Sequence, residues 1–486
     1  MNPSSQLSPL ASWTLGEVAA IVQGDVDPRF AGRPFAPVST DSRSVAPGEF
    51  FLALRGEKFD GHRFCEVAAG RGAAGLIVDR HYEVPAALAG LPILVVGDTL
   101  RAYGDLAAAR RRAWGGPALA ISGSAGKTTT RRLLADALRR HRRVLEPVKN
   151  YNNLIGLPYT LLRLEAAHEI AVLELGMNLP GELKRLAEIA APTAALLTQI
   201  NLTHVGMFAS MAELVSAKLD LFRATPAGAP LVVNAACPNT MAALAQFEAG
   251  HPIVRFLGER MPVDGRPADV FVSNISTVAP LGYRFDLNLP GARRTGLVLK
   301  MFGRHHLDNV AAAAALLHAA GLPPEWVAEA LDDFRTEPLR GERIATRQYT
   351  LILDCYNASP PSMLSALASL AELAPPPGRR VLVLADMLEL GEHAAAAHAG
   401  MLGPLRRLAP ALFFGLGPHC AALADTLERE GWAARGFDKR DALIDALKED
   451  LRPGDQVFFK GSHGFGLERV AQAIAPDANI LDDKSP

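Results

Sequence analysis

Residues 123–130 read Gly-Ser-Ala-Gly-Lys-Thr-Thr-Thr, directly after the apolar run Ala118–Ser122 and directly before a helical pattern with Leu133, Leu134, Ala137 and Leu138 on one face. The order strand, glycine-rich turn, helix constrains the fold more than any other feature of the chain. Glycines let the backbone approach phosphate oxygens closely, and a helix N-terminus supplies aligned N–H groups. Gly123, Ser124, Ala125, Gly126 and Thr129 would then cradle the phosphates of ATP, Lys127 would pair with the terminal ones, and the Thr128 hydroxyl would bind Mg²⁺. Ile121 stands where the long form of this motif has its first glycine, so the match is to the short form G-x-x-G-K-T. The alternative is a Gly-Lys turn by chance; strand, loop and helix in the order the mechanism requires weigh against it.

Further strand-type runs at Ile170–Leu175, Ala194–Ile200 and Leu231–Asn234 alternate with helical stretches. That alternation implies a parallel sheet with helices on both faces. Residues 270–302 read as consecutive strands, an added antiparallel piece. Residues 1–112 alternate short strands and helices of their own, and Trp114-Gly115-Gly116-Pro117 predicts a hinge. A block from Pro338 onward carries strand-type runs at Leu351–Leu353, Val381–Leu384, Leu412–Phe414 and Val457–Phe459. A length of 486 residues also suits about three domains. The expected class is α/β, with domains at 1–112, 113–337 and 338–486, the middle one a P-loop domain with a parallel sheet.

A formal net charge of −1 favours neither nucleic acid nor an acidic membrane as partner. Of the basic runs, Arg110–Arg112 reads as a domain edge and Arg139–Arg143 as the solvated end of a helix. Cys65, Cys237, Cys355 and Cys420 lie far apart, which suits reduced thiols in a cytoplasm. Residues 1–20 lack a basic start followed by an apolar run, so no signal peptide is expected. The most apolar stretch, Val310–Ala320, is too short to span a bilayer, so no membrane insertion is expected.

Several longer motifs surround the loop. They are Thr40-Asp41-Ser42-Arg43 with Pro47-Gly48 and Asp60-Gly61-His62; Asn150-Tyr151-Asn152-Asn153 running to Pro158; Glu174-Leu175-Gly176; and Thr198-Gln199-Ile200-Asn201 leading to His204. Further on come Ala217-Lys218 with Phe222; Gly303 to Asn309; Leu339-Arg340-Gly341-Glu342-Arg343; Asp354-Cys355-Tyr356-Asn357-Ala358-Ser359-Pro360; Asp386-Met387-Leu388-Glu389-Leu390-Gly391 with His398; and Lys460-Gly461-Ser462-His463. Together they resemble the Mur ligase family over nearly the full chain. Within it they are most similar to the branch that joins D-alanyl-D-alanine to UDP-N-acetylmuramoyl-tripeptide. Gln199, His306, Ser359, Ala385 and His463 depart from the family pattern.

The resemblance implies an amino-terminal UDP-binding domain, a central ATPase domain, and a Rossmann-like carboxy-terminal domain that closes over the site. It implies Mg²⁺ ligands at Glu174, His204 and Lys218, the last as a carbamate. By position alone Glu174 is as readily an exposed strand-end acid, His204 a surface histidine and Lys218 a solvated helical lysine. It further implies ATP contacts at His305, Asn309, Arg340 (Arg343 as second choice) and Asp354. Contacts to the UDP-muramoyl-peptide are implied at Ser42, Arg43, Asn150, Asn152, Asn153, Tyr356 and Asn357. The implied activity is an ATP- and Mg²⁺-dependent amide ligase that works through an acyl phosphate, in a cytoplasmic monomer, with Lys127, Lys218 and His204 catalytic. Two other readings stand beside it: a ligase of the same fold using another amine, and a P-loop kinase or nucleotide switch, for which Lys218 would be idle.

Overall fold

The structure is a computed structural model that describes residues 13–56, 59–201, 208, 210–258, 261–335, 337–374, 376–478 and 480. Three sheets succeed one another along the chain. The first has five strands in the order Asp25–Val26, Ile93–Val96, Gly75–Asp79, Phe50–Leu52, Val38–Ser39. Only its first pair is antiparallel.

The second sheet has nine strands. Their order is Ala292–Leu299, Tyr283–Leu289, Val270–Thr277, Ile253–Leu257, Leu231–Asn234, Ala194–Leu197, Ala118–Ser122, Ile170–Glu174, Val144–Leu145. The six from Ile253–Leu257 to Val144–Leu145 pair in parallel. Strands buried on both faces read as continuous apolar runs, and every residue of Ala118–Ser122 and Ile170–Glu174 is buried. The strands expected from residues 270–302 extend this same sheet at one edge: Val270–Thr277 joins Ile253–Leu257 in parallel, and the two that follow pair antiparallel, as expected. Helix His306–Ala319, with its alanine run, is core against one face of the sheet. The third sheet has six strands in the order Glu342–Ala345, Thr350–Asp354, Gln456–Lys460, Arg380–Ala385, Leu412–Leu416, Ala434–Phe437. It is parallel except for the first pair.

The segment 114–117 differs from the expected free hinge. Helix Thr99–Trp114 does end there, on Gly115 at φ 69. However, its last turns are fastened to elements of the second sheet. The Arg110 guanidinium donates to the Leu164 carbonyl, and Arg111 donates to Ala190 and Ala191 at 2.9 and 3.0 Å. Trp114 is buried and its indole N–H donates to the His168 carbonyl. Charged donors on carbonyls contribute about 1.5–3 kcal/mol each, so the basic run acts as a staple. The second basic run is also paired: Arg139 meets Asp136 and Glu146, Arg140 meets Asp333, and His141 stacks on Trp326. The four cysteines are buried and form no disulfide.

Candidate active site

The loop after strand Ala118–Ser122 turns through two left-handed glycines, Gly123 at φ 141 and Gly126 at φ 85, before helix Lys127–Arg139 begins. A Cβ on Gly123 would overlap the Thr198 hydroxyl. That hydroxyl donates to the Ala125 carbonyl at 2.6 Å, and the Ser124 N–H donates to Gln199 at 2.7 Å. The end of the neighbouring strand therefore fixes the loop. The Lys127 ammonium lies across it and donates to the Gly123 carbonyl at 2.8 Å. Burial pushes the Lys127 pKa below its ordinary value; Glu174 opposes that shift and Arg340 reinforces it.

Glu174 ends strand Ile170–Glu174 and is buried. A carboxylate at the carboxyl end of a parallel strand faces the ligand crevice. Its Oε1 accepts from the Thr128 hydroxyl at 3.2 Å and from the Asn152 amide at 2.8 Å. Among the described residues its Oε2 has no hydrogen-bond partner. A hydroxyl and an incompletely satisfied carboxylate are hard oxygen donors of the kind Mg²⁺ takes, so Thr128 and Glu174 fit that ion. Lys218, on helix Met211–Ala224, is 1% exposed. Its amine points at the same Gly123 carbonyl, at 3.4 Å. Burial, and then the charge of Lys127, push its pKa well below the ordinary lysine value. His204 lies outside the described residues. Asn201, three residues before it, exchanges hydrogen bonds with Ser124 of the loop.

A cavity of about 240 Å³ opens over the loop. Residues 124–129 form one wall, His305, His306 and Asn309 another, and Arg340, Asp354 and Lys460 come from the third block. His305 reaches across to Ser365 at 3.2 Å. Asn309 accepts from the Thr130 hydroxyl and directs its amide at His306 Nδ1, 3.0 Å away. His306, which departs from the family pattern, is therefore buried and bonded to the next polar residue of its own motif. Burial, then the charges of His305, Arg340 and Lys460, push its pKa well below the ordinary histidine value. Arg340 stacks over the Tyr356 ring at 4.0 Å. Arg343 is exposed and does not line the cavity. Asp354 accepts from Lys460 at 2.7 Å. Lys460 is nearly as buried as Lys218. Its place in the Lys460–His463 motif assigns it no role; the signal that could have is a lysine at the end of the apolar strand Gln456–Lys460.

A larger cavity of about 1070 Å³ adjoins the first and takes its walls from all three sheets' surroundings. Asn150, Asn152, Asn153, Tyr356 and Asn357 line it, with Ser462 and His463 beyond. Asn150 meets the Tyr356 hydroxyl at 3.3 Å across the two blocks. Lys127, Asn150, Asn152, Tyr356 and Asn357 line both cavities, so the two spaces meet around the loop lysine. From the amino-terminal block the lining consists of Val38, Ser39, Thr40, Asp41, Ser44 and Glu49, around the Thr40–Arg43 motif. Ser42 is buried and Arg43 is exposed, and neither reaches this wall. Arg43 is forked onto Asp41 at 2.9 and 2.8 Å, which holds the Asp41 carboxyl below its usual range.

The Asp386–Gly391 motif shapes the wall formed by Leu388, Glu389 and Leu390. Asp386 accepts from the first free N–H groups of helix Pro418–Arg429, at His419 and Cys420. His398 donates from Nδ1 to the Ala394 carbonyl at 2.7 Å and accepts the Met387 N–H on Nε2 at 2.9 Å. Asp386, His398 and Cys420 stand close enough to hold an ion. With both nitrogens engaged, however, His398 has no lone pair to give one.

Residues 121–317 match the family model of the Mur ligase middle domain. Residues 339–463 match that of the Mur ligase glutamate ligase domain, and residues 35–111 that of the Mur ligase family catalytic domain. The chain is 32% identical over 472 residues to the UDP-N-acetylmuramoyl-tripeptide–D-alanyl-D-alanine ligase of Escherichia coli K12, covering 96% of this chain and 99% of that one. It is 31% identical to the enzyme of the same name from Bacillus subtilis, over 95% and 98% of the two chains. The crystal structure of MurF from Acinetobacter baumannii superposes with a TM-score of 0.83 at 28% identity, covering 97% of this chain and all of that one. The chain belongs to the Mur ligase family.

Proposed function

We propose that the protein joins D-alanyl-D-alanine to UDP-N-acetylmuramoyl-tripeptide at the expense of ATP, in the synthesis of peptidoglycan precursors. The observation that carries the reading is the meeting of the two cavities at Lys127. A triphosphate on the loop would there present its terminal phosphate to a carboxylate held in the larger space.

The chemistry divides into two displacements. The peptide carboxylate attacks the γ-phosphorus, the bond from phosphorus to the ADP oxygen breaks, and an acyl phosphate forms. The dipeptide amine then attacks the acyl carbon, the carbon–oxygen bond to phosphate breaks, phosphate leaves, and the nitrogen loses a proton. Both partners in the first step are oxyanions, so positive charge must offset their repulsion. Lys127 supplies part of it from the floor of the junction. Mg²⁺, held by Thr128, Glu174, His204 and Lys218 as its carbamate, would supply the rest as a Lewis acid. Burial and the neighbouring Lys127 charge push the Lys218 amine toward its neutral form, and the neutral amine is the form that reacts with CO₂.

ATP would be held by Gly123, Ser124, Ala125, Gly126, Thr129, His305, Asn309, Arg340 and Asp354. Asn150, Asn153, Tyr356 and Asn357 would meet the muramoyl-peptide. Asn152 would act through Glu174 as well as through substrate. Ser42 and Arg43 would serve the UDP end as the support of the Asp41 loop. We assign the domains to 1–112, 113–337 and 338–486 and take the chain to work as a cytoplasmic monomer. Among the described residues no helix is long and apolar enough to cross a membrane.

Phosphate release in the presence of ATP, the UDP-muramoyl-tripeptide and D-alanyl-D-alanine, with the product weighed by mass spectrometry, tests the reading. Turnover should require all three, and the product should gain one dipeptide less water. Equal turnover without the dipeptide would point to a kinase or nucleotide switch. Equal turnover with a single amino acid would point to a ligase of another amine.

A further inference from the structure

One buried guanidinium near the loop has no part in the chemistry above. Arg131, one turn after Lys127, has a side chain 3% exposed and faces three carboxylates from three segments. Its Nη1 donates to Glu146 at 2.8 Å, and its Nη2 donates to Glu337 at 3.2 Å. Its Nε lies 3.5 Å from Glu174 Oε2. Both atoms of that last pair are buried and, among the described residues, lack a hydrogen bond. They face each other across a gap slightly too wide for one, while Glu174 Oε1 is taken by Thr128 and Asn152. Glu337 sits in the stretch between helix Trp326–Ala330 and strand Glu342–Ala345, where the chain leaves the second sheet for the third. Arg132 holds it as well, at 3.1 Å.

We propose that Arg131 is a positioning residue for the cation site: it fixes the Glu174 carboxylate from its Oε2 side, keeps Oε1 turned to Thr128, and ties that carboxylate to the interdomain linker through Glu337. The inference rests on Glu174 being a Mg²⁺ ligand. Three carboxylates this close repel one another unless a cation sits among them. A guanidinium presents five N–H donors in a rigid plane and meets acids from three directions at once; an ammonium on a flexible stem holds them less firmly. The ligand geometry at the cation is then set by residues that never touch it. Movement of the third domain would reach the metal carboxylate through Glu337 and Arg131.

The test is calorimetric titration of the full-length protein with ADP across Mg²⁺ concentrations and in EDTA. Arg131→Gln is expected to raise the Mg²⁺ concentration at half-effect at least tenfold, and Arg131→Lys at least threefold. ADP affinity in EDTA should stay within twofold of the parent in both. Glu337→Gln should shift the Mg²⁺ midpoint the same way by two- to fourfold, and an unchanged midpoint overturns the tie to the linker. Should Arg131→Gln show no thermal unfolding transition, Arg131→Lys decides by the same criterion. Midpoints within twofold of the parent, or an equal loss of affinity with and without Mg²⁺, overturn the positioning role alone. A parent protein whose ADP affinity ignores Mg²⁺ overturns the metal reading of Glu174 and this inference with it.

Discussion

Replacing Gly126 with alanine tests whether the loop geometry, and not merely its charge, binds nucleotide. Gly126 has φ 85, and an added Cβ would overlap Asn309 Oδ1. An L-residue in the left-handed region costs ~1–2 kcal/mol. Asn309 accepts from Thr130 and meets His306, so displacing it leaves a buried polar group short of a partner, at ~1–3 kcal/mol. The free loop can shed this combined strain of about 2–5 kcal/mol only by leaving the nucleotide-binding geometry, so here it opposes binding, and each ~1.4 kcal/mol is tenfold in an equilibrium constant. Gly126→Ala should therefore weaken ADP binding at least ~30-fold in calorimetric titration. Gly181→Ala is the control. Its φ is 83, yet nothing lies within 4 Å of an added Cβ, so it carries only the backbone cost and should lower the melting temperature while leaving ADP affinity unchanged. An ADP affinity for Gly126→Ala within threefold of the parent would refute the reasoning.

Lys218→Ala should lower kcat at least ~100-fold, and part of the loss should return with millimolar short-chain carboxylates that fill the cavity left behind; full activity without them would remove Lys218 from the site. Lys460→Met strips Asp354 of the ammonium 2.7 Å away and should raise the ATP KM about tenfold while changing kcat less, since breaking a buried pair leaves an uncompensated charge; steady-state kinetics in ATP measures the split. His306 and His398 have pKa values depressed below 6.5 in the fold. Above that pH both folded and unfolded forms are neutral. As pH falls from 6.5 toward 5.5 the unfolded chain takes up protons first, so stability should fall, by at most ~1.4 kcal/mol per pH unit per histidine. Melting curves at pH 7.5, 6.5 and 5.5 should show this, with a shallower decline in His398→Gln.

The frame of the fold was legible because parallel strands buried on both faces leave an unmistakable apolar run. Ala118–Ser122 and Ile170–Glu174 are such runs, and both are strands. The glycine–lysine turn was legible because its backbone needs residues without a Cβ. The seam between the first two blocks was not. Arg110, Arg111 and Trp114 look like a basic edge and a breaker, but their partners are carbonyls at Leu164, His168, Ala190 and Ala191. Contacts across 54 to 80 residues of sequence leave no local trace.

Lys218 and Arg131 lie between these cases. In helix Met211–Ala224, position 218 falls four residues after Leu214 and four before Phe222, both buried. In helix Lys127–Arg139, position 131 lies four after Lys127 and three before the buried Leu134. A cation placed by helical periodicity on the apolar stripe cannot be solvated, so it must end on something that repays its burial. Arg110 and Arg111 satisfy that demand with helix-end carbonyls, which is a structural answer. Lys218 ends on the carbonyl of Gly123 that Lys127 already occupies, and two ammonium groups sharing one carbonyl repel each other. That repulsion favours the loss of a proton from one of them. Lys218 feels the stronger push toward neutrality: Glu174 supports the charge of Lys127, and among the described residues no carboxylate does the same for Lys218, so its amine beside a phosphate-binding loop is placed for chemistry that a surface lysine does not undergo.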